Sequence, residues 1–457
     1  MNQHQGLNES PVFRLRGVIE GFYGKPWTME ERLEMMTFIH RHGYNTYFYA
    51  PKDDPYLRDR WQEDHPTRQF ELLQQLIRHA TQLGLDFTYC ISPGLSMKYS
   101  SEEHFNKLLH KYRRVFDEGV RQFSILYDDI PSTLLHAEDR QSFQDLADAH
   151  VQVTLALWKH LQDWSEETRL IVCPTQYFGM GGEPYIQYLG QNLPPEIPIF
   201  WTGRFICSPF LTEHDAQRFE AYTGHPPLYW DNYPVNDLLM ADELHIGPLL
   251  HRDPHLNRHA CGYVANAMEL SESSKIPLIT IADYLRDPEH YDPEESWSRA
   301  IREVVGASDA EAFQRFADNV RGSFLNDQES PQLLEAFHEF RFRYLHHDQE
   351  AAVSRLMRTF REMEQTASYL LHRMSNKKLA SEVKSWLNKY WHWAKVGQAA
   401  VSLIDQGRKG KLIRAAYQLV RLKLWLKRTE KIPRKVCGNV VKLFTDIVLQ
   451  EVQKQRG

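Results

Sequence analysis

Cysteine is scarce in this chain: five of 457 residues, Cys90, Cys173, Cys207, Cys261 and Cys437, with no CxxC pair and no metal-type spacing. So small, odd and scattered a set excludes a disulfide framework and reads as reduced thiols of a cytosolic protein. Long apolar runs are absent too; none reaches the roughly 18 residues of a membrane-spanning helix. The opening "MNQHQGLNESPVFRLRG" lacks a basic segment followed by an apolar one, so no secretory signal is seen. The expected location is cytoplasmic, or secreted if a leader was removed, with no membrane association. A Gly-rich phosphate loop is missing, because "EGFYGKPW" does not have the GxGxxG spacing. No HExxH or similar ligand pattern occurs, so neither a metal nor a cofactor is expected. A net charge of -6 excludes wholesale electrostatic binding of nucleic acid.

What the chain does have is apolar and aromatic bulk, at 42% and 12% of residues, enough for two or three domains with large cores. From Arg14 to about Tyr284 short apolar runs alternate with longer amphipathic stretches. The runs are "RGVIEGF", "NTYFYAP", "DFTYCISP", "QFSILYDD", "RLIVCPTQY", "IPIFWTG", "PPLYWDN" and "CGYVANAM". Helical periodicity lies between them, as in 29–42, 69–83, 103–118 and 143–163. Continuous apolar strands separated by helices predict a parallel sheet. Eight such units over residues 11–288 match the size of an α/β (β/α)8 TIM barrel, with an open doubly wound sheet as the alternative. After the polar, proline-marked "DPEHYDPEES", three- and four-residue apolar spacing predicts an all-α helical bundle over 289–457.

Barrel enzymes carry their working groups at the C-terminal ends of the strands. Those ends supply Gly21, Lys52, Asp128 with Asp129, Tyr177, Thr202, Trp230 with Asn232 and Asp237, and Asn266. The adjacent pair in "ILYDDIP" draws attention first. Successive strand residues face opposite ways, but that rule relaxes at a frayed strand end. Two close carboxylates cannot both ionise freely, so one is expected to hold a proton at a raised pKa. An acid beside an anion is the pair that glycoside hydrolysis uses. Asp-Asp before Ile-Pro equally suits a turn or a helix cap.

The segments "GVIEGFYGKPWT", "NTYFYAPKDDP", "ISPGL", "LYDDIP", "CPTQY", "WTG", "YWDNYPVND" and "YVANAM" follow one another in an order that resembles glycoside hydrolase family 84, the O-GlcNAcase type of β-N-acetylglucosaminidase. The likeness covers roughly residues 11 to 285. It implies a retaining, substrate-assisted hydrolysis in which the sugar's 2-acetamido oxygen attacks its own anomeric carbon and forms an oxazoline. Asp129 then resembles the general acid. Asp128 resembles the residue that accepts and orients the acetamido N–H, Asn232 the residue supporting Asp128 and the acetamido group, and Tyr177 the hydroxyl on the acetamido oxygen. Cys173, Thr202 and Trp230 resemble the pocket for the acetamido methyl. Asp237 resembles the carboxylate on the 4- and 6-hydroxyls, Lys52 and Asn266 hydroxyl-binding groups, and Gly21 a backbone carbonyl at the 3-hydroxyl. The implied partner is terminal β-linked N-acetylglucosamine on a protein, peptide or glycan.

Two other readings stand beside this one: an endo-acting hyaluronidase or mucin-type hexosaminidase, and a sugar-binding module without catalysis. The basic segment 408–435, with interleaved aromatics, is expected to be an amphipathic helix with a solvated cationic face; an anionic or nucleic-acid partner is the alternative.

Overall fold

The computed structural model of the protein describes residues 13–454 apart from 329 and 347. Residues 11 and 12, at the start of the expected barrel, and 455–457, at the end of the expected bundle, lie outside the described residues. Eight strands follow in order: β1 (Leu15–Ile19), β2 (Thr46–Tyr49), β3 (Asp86–Ile91), β4 (Gln122–Leu126), β5 (Arg169–Cys173), β6 (Phe200–Trp201), β7 (Leu228–Asp231) and β8 (Gly262–Asn266). Their helices are α1 (Met29–Arg41), α2 (Thr67–Leu83), α3 (Glu102–Asp117), α4 (Ala137–Ser142), α5 (Leu146–Trp164), α6 (Pro184–Asn192), α7 (Glu213–Thr223) and α8 (Ser271–Arg286).

The strands pair in parallel in the order β5-β4-β3-β2-β1-β8-β7-β6. A parallel bridge between Val172 and Ile199 joins the two ends. The sheet is therefore a (β/α)8 barrel and not an open doubly wound sheet. One unit departs from the pattern: the β7–β8 connection has two 3-10 turns, Leu238–Met240 and Leu256–Arg258, where the others have an α-helix.

Local signals explain the boundaries. Thr28 and Glu31 form a reciprocal capping box at the start of α1, which satisfies two main-chain N–H groups that otherwise lack acceptors. Gly84 ends α2 in the left-handed conformation at φ 72°. Alternate strand residues point inward, and Ile19, Phe48, Cys90, Leu126, Cys173, Phe200, Trp230 and Val264 belong to one buried apolar cluster.

Two buried carboxylates outside the barrel interior are paired. Glu20 is fully buried and takes two 2.8 Å bonds from the Arg32 guanidinium and one from the Tyr47 hydroxyl. Asp231 is held by Arg252 at 2.7 and 2.8 Å. Bidentate geometry with further donors lets such pairs survive desolvation.

The chain divides into two compact units. The first holds the described residues up to Asp237 together with Leu249–Ser271 and Leu278–Asp292. The second holds Leu238–Pro248, Glu272–Pro277 and the residues from Pro293 onward. Its helices are α9 (Pro293–Val305), α10 (Ala310–Ala317), α11 (Pro331–Leu345), α12 (Gln349–Arg373), α13 (Lys377–Glu382), α14 (Lys384–Arg408), α15 (Leu412–Thr429) and α16 (Val440–Lys454). At Gly397 of α14 an added Cβ would lie 2.1 Å from the Phe360 ring of α12, so glycine is what lets this ring meet the α14 backbone.

Of the basic segment, Leu412–Thr429 is the expected helix, while 409–411 and 430–435 are not helical, and the solvent face of the helix differs from the expectation. Ile413, Tyr417, Val420 and Leu424 of α15 face outward, while Leu422 and Thr429 are buried on its other side. The charges flank an apolar stripe and do not form the centre of the exposed face.

Candidate active site

The two aspartates reach one place because the backbone turns between them. Asp128 continues the inward alternation of β4 and is buried at 5% exposure. Asp129 has φ 54°, a left-handed conformation that Asp tolerates better than most residues and that is rarely kept without reason. The turn brings the second side chain to the hydroxyls of Tyr23 and Tyr177, at the same strand end as Asp128. Tyr127, between strand and turn, points outward and stacks on His150 at 3.8 Å. His150 is itself enclosed by the hydroxyls of Tyr185 at 2.7 Å and Tyr99 at 2.9 Å. Burial lowers its pKa to about 3, so this support is a neutral imidazole.

Each carboxylate has its own partners. Lys52, from the end of β2, forms a buried ion pair with Oδ2 of Asp128. The other oxygen, Oδ1, is buried and has no hydrogen-bond partner in the protein. Asp129 takes the hydroxyl of Tyr23 on Oδ2 at 2.6 Å and that of Tyr177 on Oδ1 at 2.8 Å. Arg58 donates to the Asp129 carbonyl at 3.3 Å.

For Asp129 these contacts run against the expectation of a raised pKa. Burial works against ionisation of Asp129. The Tyr23 hydroxyl, the Lys52 charge, the Tyr177 hydroxyl and Arg58 outweigh it and hold the carboxyl below the usual range. A carboxylate that accepts two O–H bonds and lies near two cations is favoured in its charged form.

The other expected residues collect around them. Asn266 Nδ2 donates to Oδ1 of Asn232 at 2.9 Å, and Trp230 Nε1 donates to the same oxygen at 3.0 Å. Asn232 Nδ2 donates to the Ile206 carbonyl at 2.8 Å. Asn232 therefore braces Trp230, Asn266 and the β6–α7 loop; its side-chain bonds do not go to Asp128. Oδ1 of Asn266 is buried and, like that of Asp128, has no partner in the protein. A buried acceptor without a donor in the protein takes one from water or from a ligand.

Asp237 accepts the main-chain N–H of Tyr23 at 2.7 Å, and burial raises its pKa. Cys173 is buried in the barrel interior, where desolvation pushes its thiol well up. Thr202 is buried as well and donates to the Phe205 carbonyl at 2.7 Å. The Trp230 ring meets Phe200 edge-on at 5.1 Å. Gly21 is required by space: a Cβ there would lie 2.7 Å from the Trp230 ring and 3.1 Å from Oδ1 of Asn266.

Tyr23 and Arg58 were not among the expected site residues. Tyr23 lies two positions beyond Gly21, so strand alternation alone could have flagged it. Arg58 sits in the β2–α2 loop, and nothing in its local sequence marks it. Asp128, Asp129 and Asp237 against Lys52 and Arg58 leave one net negative charge among these five groups, a setting that favours a developing cation. Among the described residues, Glu213, Asp253 and His255 have metal-ligand spacing; none of them is a site residue.

Carboxylates, amides and tyrosines at the C-terminal ends of parallel barrel strands, aimed at one mouth, define a carbohydrate-cleaving (β/α)8 enzyme. The chain belongs to glycoside hydrolase family 84, the O-GlcNAcase-type β-N-acetylglucosaminidases: the family described as beta-N-acetylglucosaminidase matches residues 16–318. A second family, described as hyaluronidase post-catalytic domain-like, matches residues 333–445. The chain is similar to Protein O-GlcNAcase of Rattus norvegicus and of Mus musculus. Each is 32% identical over 278 residues, which is 60% of this chain and 30% of the relative. The match thus spans less than a third of those relatives' length. Among solved structures, a mutant of the Thermobaculum terrenum O-GlcNAc hydrolase superimposes with a TM-score of 0.93 at 37% identity, covering 96% of this chain and 95% of that one. CpGH84B superimposes with a TM-score of 0.86 at 28% identity, covering 96% and 77%.

Proposed function

We propose that the chain is a retaining exo-β-N-acetylglucosaminidase that works by substrate-assisted catalysis and removes O-GlcNAc from Ser or Thr of proteins or peptides. The observation that carries this reading is Asp128: one oxygen is fixed by Lys52, and the other is buried without a donor. A sugar acetamido N–H is the donor that such an oxygen suits. Bound there, the amide is oriented and its oxygen is made a better nucleophile as positive charge grows on nitrogen. The acetamido oxygen bonds to the anomeric carbon, the glycosidic C–O bond breaks, and Asp129 gives its proton to the departing oxygen. Water then adds to the anomeric carbon of the oxazoline, the ring C–O bond breaks, and Asp129 takes the water's proton. No protein nucleophile is needed, because the attack is intramolecular.

The contacts of Asp129 suggest how the acid is made ready. Tyr177 donates to Asp129. An acetamido oxygen competes for that hydroxyl, and its capture removes one bond that favours the carboxylate. The pKa of Asp129 rises as a result, so proton donation becomes available only with the correct sugar seated. The buried Cys173, Thr202 and Trp230 suit an acetyl methyl, and overpacking by bulkier acyl groups costs about 1–3 kcal/mol. Outside the pocket, exposed Phe178, Phe205 and Ile206 follow Tyr177 and Thr202 in sequence and offer apolar contact to an aglycone.

The test is hydrolysis of aryl N-acetyl-β-glucosaminide, aryl N-acetyl-β-galactosaminide, an O-GlcNAc peptide and intact hyaluronan in parallel. The expected result is turnover of the glucosaminide and the peptide with retention at the anomeric carbon. Depolymerisation of hyaluronan with no release from the peptide would replace this reading with the endo-acting one.

A further inference from the structure

Helix α15 (Leu412–Thr429) carries an apolar seam that faces solvent. Ile413 is 89% exposed, Tyr417 63%, Val420 66% and Leu424 46%. Apolar side chains exposed singly are ordinary, but a contiguous line of them marks an interaction surface. Their spacing of four, three and four residues is that of the d, a, d and a positions of successive heptads, the line along which one helix packs into another. In the same register the flanking e and g positions are Arg414, Ala416, Arg421, Lys423 and Arg428. The helix holds five basic residues and no acidic one. Its opposite side is committed: Leu422 and Thr429 are buried, and Trp425 packs edge-on against Trp391 and His392 of α14, each at 5.5 Å. The exposed seam is thus a fixed face of a packed helix.

We propose that this face docks an acidic, heptad-patterned helix of a partner protein. A helix with apolar a and d residues covers the seam, and Glu at its e and g positions meets the basic flanks. Charge complementarity selects that occupant over the others. A second copy of this chain would set Arg and Lys against Arg and Lys along both edges, which is destabilising. A bilayer suits a broad apolar face, whereas a stripe confined to a and d positions is the narrower seam of a coiled coil. None of the seam residues is a proposed active-site residue.

The experiment uses the full chain and a fluorescent three-heptad peptide with Leu at a and d and Glu at e and g, read by fluorescence anisotropy at low and high salt. The expected result is saturable binding that weakens at high salt. The Tyr417→Glu and Val420→Glu double variant loses it. The Arg421→Glu and Lys423→Glu double variant weakens it by about tenfold or more and gains affinity for the same peptide carrying Lys at e and g. All variants keep the melting temperature and the aryl glucosaminidase activity of the parent. Phosphatidylserine vesicles and sedimentation velocity run alongside. Absence of binding by the parent chain, binding that the Tyr417 and Val420 changes leave intact, vesicle binding in place of peptide binding, or a salt-resistant dimer through this face each overturns the proposal.

Discussion

Changing Tyr23 to Phe removes one oxygen from the site and little else. The main-chain N–H that Asp237 accepts remains, and so does the ring over which Arg58 and Lys52 sit, at 5.9 and 5.8 Å. What is lost is the 2.6 Å hydroxyl bond to Oδ2 of Asp129. A hydrogen bond to a charged acceptor is worth about 1.5–3 kcal/mol net. Asp129 is partly open to solvent, so screening reduces that to about 1 kcal/mol. One pKa unit corresponds to about 1.36 kcal/mol, so the Asp129 pKa moves up by about 0.7 unit. The groups facing this carboxyl are Lys52, Arg58, Asp128, Tyr177 and Asp237, and the substitution leaves all of them in place. If Asp129 donates the proton once the sugar is seated, the alkaline limb of kcat reports its pKa in the complex. That limb therefore shifts to higher pH by about half to one unit for a substrate with a poor leaving group such as phenyl. A limb that stays in place, or moves to lower pH, refutes the assignment of Asp129 as donor or of Tyr23 as its partner.

The remaining predictions concern the pair, the pocket and the frame. Asp129→Asn suits the left-handed backbone at φ 54° and should keep the melting temperature; hydrolysis of poor leaving groups should be lost, while activated aryl leaving groups still turn over. Unchanged hydrolysis of an O-GlcNAc peptide by this variant would remove Asp129 from the chemistry. Gly21→Ala should abolish sugar binding measured by calorimetry, because its methyl must displace the Trp230 ring, at a folding cost of about 1–3 kcal/mol. Arg252→Met strands the buried Asp231 and should lower stability by about 3–5 kcal/mol in urea titration; a loss under 1 kcal/mol would show that water reaches the pair. His150 is neutral when folded, with a pKa of about 3, against about 6.5 when unfolded. Between those values the unfolded chain binds one more proton, so stability falls on acidification from about pH 6.5, by roughly 1.4 kcal/mol per pH unit from this group. His150→Gln should flatten that slope, and an identical slope would exclude His150 as its source.

The barrel was legible in the sequence because its strands are buried on both faces. "NTYFYAP" and "RLIVCPTQY" can be read as strands without knowing their neighbours. β6 was less so: the apolar run "IPIFWTG" contains only the two strand residues Phe200 and Trp201, since its first part serves as the bridge that closes the ring. The aspartate pair stood out as two charges at the end of an apolar run. Its electrostatic state could not be read, because that depends on Lys52 and Tyr23, 76 and 106 residues away. Adjacent carboxylates viewed alone suggest a shared proton; the hydroxyls of Tyr23 and Tyr177, with Lys52 and Arg58 nearby, instead lower the pKa of Asp129. The basic segment taught a similar lesson. Composition announces charge, but whether charges or Ile413, Tyr417, Val420 and Leu424 occupy the outer face is decided by which side Leu422 and Thr429 turn toward the bundle.

A ring opens where it is least stitched. Neighbouring strands such as β4 and β5 match over five residues, whereas β5 meets the chain entering β6 through the bridge between Val172 and Ile199. Cys173, the last residue of β5, and Thr202, directly after β6, stand on either side of that seam. Any molecule gripping both would act as a clasp, so a sugar lodged there should slow amide exchange at Val172 and leave the β1–β2 register almost untouched.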